Sequence, residues 1–114
     1  MNLKDLIATV MSNHEHLTGS EWMILNTLYS GKKNFGEIVD ETGYSKTVVS
    51  TAIRKLENKS NIKKGKKEAD KRIKIYKITE KGKKAHDKVK EDIIKDLSDD
   101  LTEIKKKLNK MTEK

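Results

Sequence analysis

The chain has 114 residues, of which 33% are hydrophobic and 39% charged, with a formal net charge of +8 and neither cysteine nor proline. That length fits one domain with at most an appendage, the thin apolar fraction favours burial against a partner chain, and the missing cysteines exclude disulfides and thiolate chemistry. No apolar run approaches the ~18 residues of a membrane span and no signal-peptide pattern opens the chain, so the expectation is a cytoplasmic protein with no membrane partner.

In chain order, Leu3, Leu6, Ile7, Val10 and Met11 have the i, i+3, i+4, i+7, i+8 spacing of an amphipathic helix. Thr18-Gly-Ser-Glu21 is a capping-box pattern opening a second helix, with Trp22, Leu25 and Leu28 as its apolar stripe and Ser30-Gly31 as its stop. Asn34-Phe-Gly-Glu37 has the same form and starts a short helix that buries Phe35, Ile38 and Val39. Gly43 suits a turn with positive φ, and Ser45 caps a fourth helix running to about Asn58. Two short helices joined by a glycine-containing turn form a helix-turn-helix signature. Along the fourth helix Val49, Ala52, Ile53 and Leu56 share one face. Thr47, Ser50, Thr51 and Arg54 share the other, with Ser45 and Lys46 at its start. Small hydroxyl side chains and one arginine suit a groove, because they allow close approach and hydrogen-bond to bases or phosphates.

Charge is concentrated directly after this helix. Residues 59–84 hold twelve Lys/Arg against Glu68, Asp70 and Glu80, while residues 1–58 and 85–114 are near neutral. A local surplus of nine positive charges points to a polyanion, since phosphate neutralisation drives nucleic-acid affinity. Ile62 begins a short extended run, Lys63-Lys-Gly-Lys-Lys67 reads as a flexible basic loop, and Arg72–Ile78 reads as a strand. Helix-turn-helix followed by a basic β-hairpin is a winged helix, with Lys63, Lys64, Lys66, Lys67, Lys71, Arg72 and Lys74 on the wing. Thr79 caps the next helix, where Ala85, Val89, Ile93 and Leu97 recur every four residues. Ser98-Asp99-Asp100 resembles a fresh N-cap, and Leu101, Ile104, Leu108 and Met111 follow at heptad-like spacing. A stripe of this kind needs a partner surface, and a second copy of the chain is the economical one.

Asp70-Lys71-Arg72 followed after five residues by Ile78-Thr79-Glu80-Lys81-Gly82 resembles the wing signature of the multiple-antibiotic-resistance regulator (MarR) family. Leu17-Thr18 before Trp22, the Ser45–Leu56 helix and Leu97-Ser98-Asp99-Asp100-Leu101 resemble that family's second helix, recognition helix and junction between its last two helices. The resemblance covers about residues 17–112. It implies that Arg72 enters the minor groove, that Asp70 orients the wing by pairing with basic side chains, and that Thr47, Ser50, Thr51 and Arg54 meet the major groove. It also implies a homodimer joined through first and last helices on a palindromic operator, and a small-molecule effector as a further partner. Two departures stand out: Ser60 occupies the position of a usual glycine, with Asn58 and Asn61 able to turn left-handed instead, and the first helix is short. Glu21-Trp22 is also similar to the penicillinase-repressor winged helices, which dimerise mainly through the C-terminus.

His14-x-His16 with distant His86 is the only metal-like grouping, and exposed helix-end histidines are the preferred reading; no metal, cofactor or enzyme activity is expected. The expected fold is mainly α with a small β-hairpin wing. An N-terminal dimerisation helix (1–16) with Leu3, Leu6, Ile7 and Val10 precedes the DNA-binding domain (17–82). C-terminal dimerisation helices (83–114) with Leu97, Leu101, Ile104 and Leu108 follow it. The expected function is a sequence-specific, nucleoid-associated regulator of repressor type. The rivals are a non-sequence-specific architectural DNA binder and a winged helix used for protein interaction.

Overall fold

The computed structural model describes residues 17–67 and 69–112. The Leu3, Leu6, Ile7 and Val10 stripe and the His14-x-His16 pair lie outside them. The order is α1 (Gly19–Tyr29), β1 (Lys33–Asn34), α2 (Phe35–Thr42), α3 (Lys46–Asn58), β2 (Ile62–Lys67), β3 (Asp70–Ile78) and α4 (Glu80–Thr112). The strands form one antiparallel sheet ordered β1-β3-β2. This is a mainly helical winged helix-turn-helix. Its extents of 69 × 24 × 21 Å reflect α4, whose 33 residues reach well past the body.

Local chemistry sets the element ends. Thr18 accepts a hydrogen bond from the Glu21 amide at the start of α1. The second half of that capping box is absent, because the Glu21 carboxylate is buried and accepts instead from Lys59 Nζ at 2.9 Å. At α2 both halves of the box form between Asn34 and Glu37. Gly43 ends that helix at φ 70°, and Ser45 caps α3 by accepting from the Val48 amide. The end of α3 is a Schellman motif: the Asn61 amide donates to the Leu56 carbonyl and the Ser60 amide to Glu57. Ser60 itself takes the left-handed conformation, at φ 62°, and neither Asn58 nor Asn61 supplies it as expected.

One core joins the pieces. Ile24, Leu25 and Leu28 of α1 pack with Ile38 of α2, Val49 and Leu56 of α3, and Ile62 and Ile78 at the base of the wing. Each such side chain contributes about 1.5–3 kcal/mol on burial. Trp22 and His86 stack with ring centroids 5.0 Å apart and planes 4° from parallel, and Trp22 Nε1 donates to the His86 carbonyl. His86 is thus buried rather than an exposed helix-end residue. Its Nδ1 lies 3.0 Å from Asp87 and its Nε2 2.9 Å from Asn26, so both nitrogens are engaged inside the fold.

Two further expectations change. Lys63–Lys67 is not a loop: Lys63 to Lys66 pair residue by residue with Lys77 to Lys74, and a bulge follows between Lys66 and Lys67. Cross-strand pairing anchored by Ile62 against Ile78 outweighs the weak strand preference of lysine. Ser98-Asp99-Asp100 does not start a new helix either, because α4 runs through it without interruption. The Ser98 carbonyl accepts from Thr102 Oγ1 at 2.9 Å. All three residues are exposed, so among the described residues no burial imposes a bend on the helix there.

Candidate nucleic-acid interface

α3 presents its polar face outward because Val49, Ala52, Ile53 and Leu56 fix the opposite face in the core. Thr47, Ser50 and Arg54 are exposed and Thr51 is half-buried. A cleft flanks α3 on either side. One, of about 280 Å³, lies against the start of α1 and brings Thr18 and Ser20 beside Thr47, Thr51 and Lys55. The other, of about 560 Å³, lies against the wing and brings Ser50 together with Asn34, Gly36, Arg72 and Lys74. The first turns of α1 and α2 thus border the same surface as Thr47, Ser50 and Thr51. Lys55, Thr18, Ser20 and Asn34 are candidate contacts that sequence reasoning left out. The signal was available for the cap residues Thr18 and Asn34, since a helix N-terminus presents free amides suited to phosphate oxygens.

Strand register divides the wing lysines. Tyr76 and Ile78 face the core; Lys64 pairs with Tyr76 and Lys66 with Lys74, so Lys64, Lys66, Arg72 and Lys74 share the face turned toward α3. Lys63 pairs with Lys77 and shares the opposite face with Ile75. The continuous basic run therefore becomes a two-sided blade, and Lys63 does not join the residues around Ser50. Lys71 is exposed near the blade's far end, and Lys67 is the last residue of β2.

Asp70 is the organiser of that far end. Its Oδ1 accepts from the Arg72 amide at 3.0 Å and from Arg72 Nε at 3.2 Å, and Oδ2 accepts from Nη2 at 3.4 Å. Arg72 itself is thus a basic partner of Asp70, and its side chain is 91% exposed. An ion pair so exposed contributes at most about 1 kcal/mol, so its main effect is to aim the guanidinium.

The Ile78-Thr79-Glu80-Lys81-Gly82 segment has a structural role. Thr79 Oγ1 caps α4 by accepting from the Gly82 amide and donates to the Ser60 carbonyl at 2.7 Å. The Thr79 amide donates to the Asn61 carbonyl, and Lys81 Nζ to that of Lys59. Three successive carbonyls after α3 are thus latched to the start of α4. The approach is so close that a Cβ on Gly82 would collide with the Asn61 carbonyl oxygen. Among the described residues no cluster of His, Cys, Asp or Glu could hold a metal ion. No helix among them is long and apolar enough to cross a membrane.

Residues 17–82 match the family model described as a winged helix DNA-binding domain. No curated protein sequence matches the chain. Among solved structures, the transcriptional regulator BldR from Sulfolobus solfataricus is similar with TM-score 0.74 and 20% identity, over 96% of this chain and 82% of that one. Wild-type apo MarR from E. coli is similar with TM-score 0.75 and 15% identity, over 96% and 88%. BpsR from Bordetella bronchiseptica gives 0.67 and 18%, over 96% and 89%. The chain belongs to the winged-helix DNA-binding family, and its fold is that of the MarR-type regulators.

Proposed function

We propose that this protein is a homodimeric transcriptional repressor that reads a palindromic operator. The observation that carries the reading is the convergence of Ser50 on α3 with Arg72 and Lys74 on the wing around one cleft, beside the exposed Thr47 and Arg54. α3 docks in the major groove with Arg54 reaching base edges. The wing follows the backbone, and Arg72 enters the adjacent minor groove, where A·T-rich DNA concentrates negative potential. Ser45 and Lys46 at the start of α3 contact phosphate, as do Lys64, Lys66, Lys67 and Lys71. The protein works in the cytoplasm on the nucleoid. The DNA binding of BpsR is regulated by 6-hydroxynicotinic acid, and control by a small molecule belongs to the same reading.

Selection of bound duplexes from a random pool, followed by titration, tests it. If a dimer neutralises about six to eight phosphates, log K falls against log salt with a slope of about −5 to −7. Arg54→Ala costs roughly 1–3 kcal/mol at one base position and relaxes preference there. Arg72→Ala weakens sites with A·T-rich flanks most. Equal affinity for selected and scrambled duplexes would leave the architectural reading, and a slope near zero would leave protein interaction.

A further inference from the structure

The continuity of α4 exposes a pattern that a break at Ser98 would have hidden. Ile94, Leu97, Leu101, Ile104, Leu108 and Met111 are spaced 3, 4, 3, 4 and 3 apart on one unbroken helix. Leu97 is half-buried; the other five are 53–78% exposed. A strict 3-4 repeat over this length is the seam of a two-stranded coiled coil. The charges along the same stretch are sorted. Residues 96–103 carry Asp96, Asp99, Asp100 and Glu103 with no base, and residues 105–110 carry Lys105, Lys106, Lys107 and Lys110 with no acid.

We propose that the distal half of α4 pairs with that of a second copy as an antiparallel coiled coil centred between Thr102 and Glu103. This rests on the dimeric reading above and specifies its interface. In a parallel pair the acidic block lies on the acidic block and the basic on the basic, and like charges side by side oppose association. In an antiparallel pair each acidic block meets the partner's basic block. The apolar register closes in the same arrangement: Leu101 meets the partner's Ile104, Leu97 the partner's Leu108, and Ile94 the partner's Met111. Asp100 and Lys107 occupy equivalent positions flanking the seam, so Asp100 faces the partner's Lys107. The interface is isologous, with one patch serving both copies. The two Val89 positions, where each rod packs on its own body, then lie about 40 Å apart, given ~1.5 Å of rise per residue. That is near the ~34–36 Å between half-sites one DNA turn apart.

The chain has no cysteine, so disulfide trapping of the full-length protein tests the orientation directly. Ile94→Cys alone and Met111→Cys alone should give no cross-linked dimer, and an equimolar mixture of the two should give one. Efficient cross-linking by Ile94→Cys alone would overturn the antiparallel seam. A charge swap gives an independent reading. Asp100→Lys and Lys107→Asp should each weaken self-association about tenfold, and their mixture should restore it. A mixture no tighter than either variant would overturn the proposed pairing, and a monomeric native mass in sedimentation at micromolar concentration would overturn the dimer itself. Absence of DNA binding by the native chain, with the mixed cysteine variants still cross-linking, would instead count against the regulatory reading alone.

Discussion

The two halves of α4 carry similar apolar residues at similar spacing, and the fold treats them differently. In the first half Val89 and Ile93 are buried against the body, and the His86 ring stacks on Trp22 and contacts Tyr29. In the second half Leu101, Ile104 and Leu108 remain exposed. What separates them is what stands opposite. The Thr79–Gly82 latch presses the start of the helix onto the end of α3, and α1 supplies a matching surface. Leu97 is the last of these side chains to pack against the core, and past it the apolar residues of the rod are exposed. An apolar repeat therefore states that a surface will be covered, but not by what.

The latch is one place where this comparison can be broken. Gly82→Ala puts a methyl group against the Asn61 carbonyl oxygen, backbone on both sides, so neither can move aside cheaply. The expected loss is at least the ~1–3 kcal/mol typical of overpacking, read as a lower denaturant midpoint. Wild-type stability in that variant would mean the latch is slack.

A direct contrast between the halves comes next. Ile93→Ala removes a buried side chain of the first half and should cost about 2–5 kcal/mol. Leu101→Ala, measured at a dilution where the chain is monomeric, should cost under about 1 kcal/mol, most of the lost burial being intermolecular. Equal losses would place Leu101 in a core within one chain.

A smaller, pH-dependent effect belongs to the buried half. Hydrogen bonding from His86 and then from Tyr29 holds the Asp87 carboxyl below its ordinary value of 3.8. A depressed folded value contributes stability that is present above 3.8 and is lost as pH falls through the folded value. Asp87→Asn should flatten the acid side of the stability profile, and an unchanged slope below pH ~4 would show that this carboxylate is not linked to folding.

The smallest effect is at the end of α3. Ser60 sits at φ 62°, where a side chain is strained and glycine is not. Ser60→Gly should stabilise by about 0.5–1 kcal/mol, offset in part by the freer unfolded chain. A loss would show that the serine side chain makes a contribution of its own.

The sequence by itself determined the helix starts at Asn34, Ser45 and Thr79, the buried face of α3 and the location of the charge. Each of these depends on neighbours within a few residues: a side chain returning to a nearby amide, a 3.6-residue period, a run of lysines. Tertiary structure alone decided the rest. Lys63–Lys67 became a strand because Ile62 found Ile78, and β1 formed because Lys33 and Asn34 met Tyr76 and Ile75 across the sheet. The same pairing sorted the wing lysines onto two faces, which a linear run cannot show. His86 went inside because Trp22, sixty-four residues earlier, offered a ring to stack on. Ser98 stayed helical, exposed and with no described residue packed over it to impose a bend. Local bonding is written in order along the chain, whereas burial depends on which distant surface arrives.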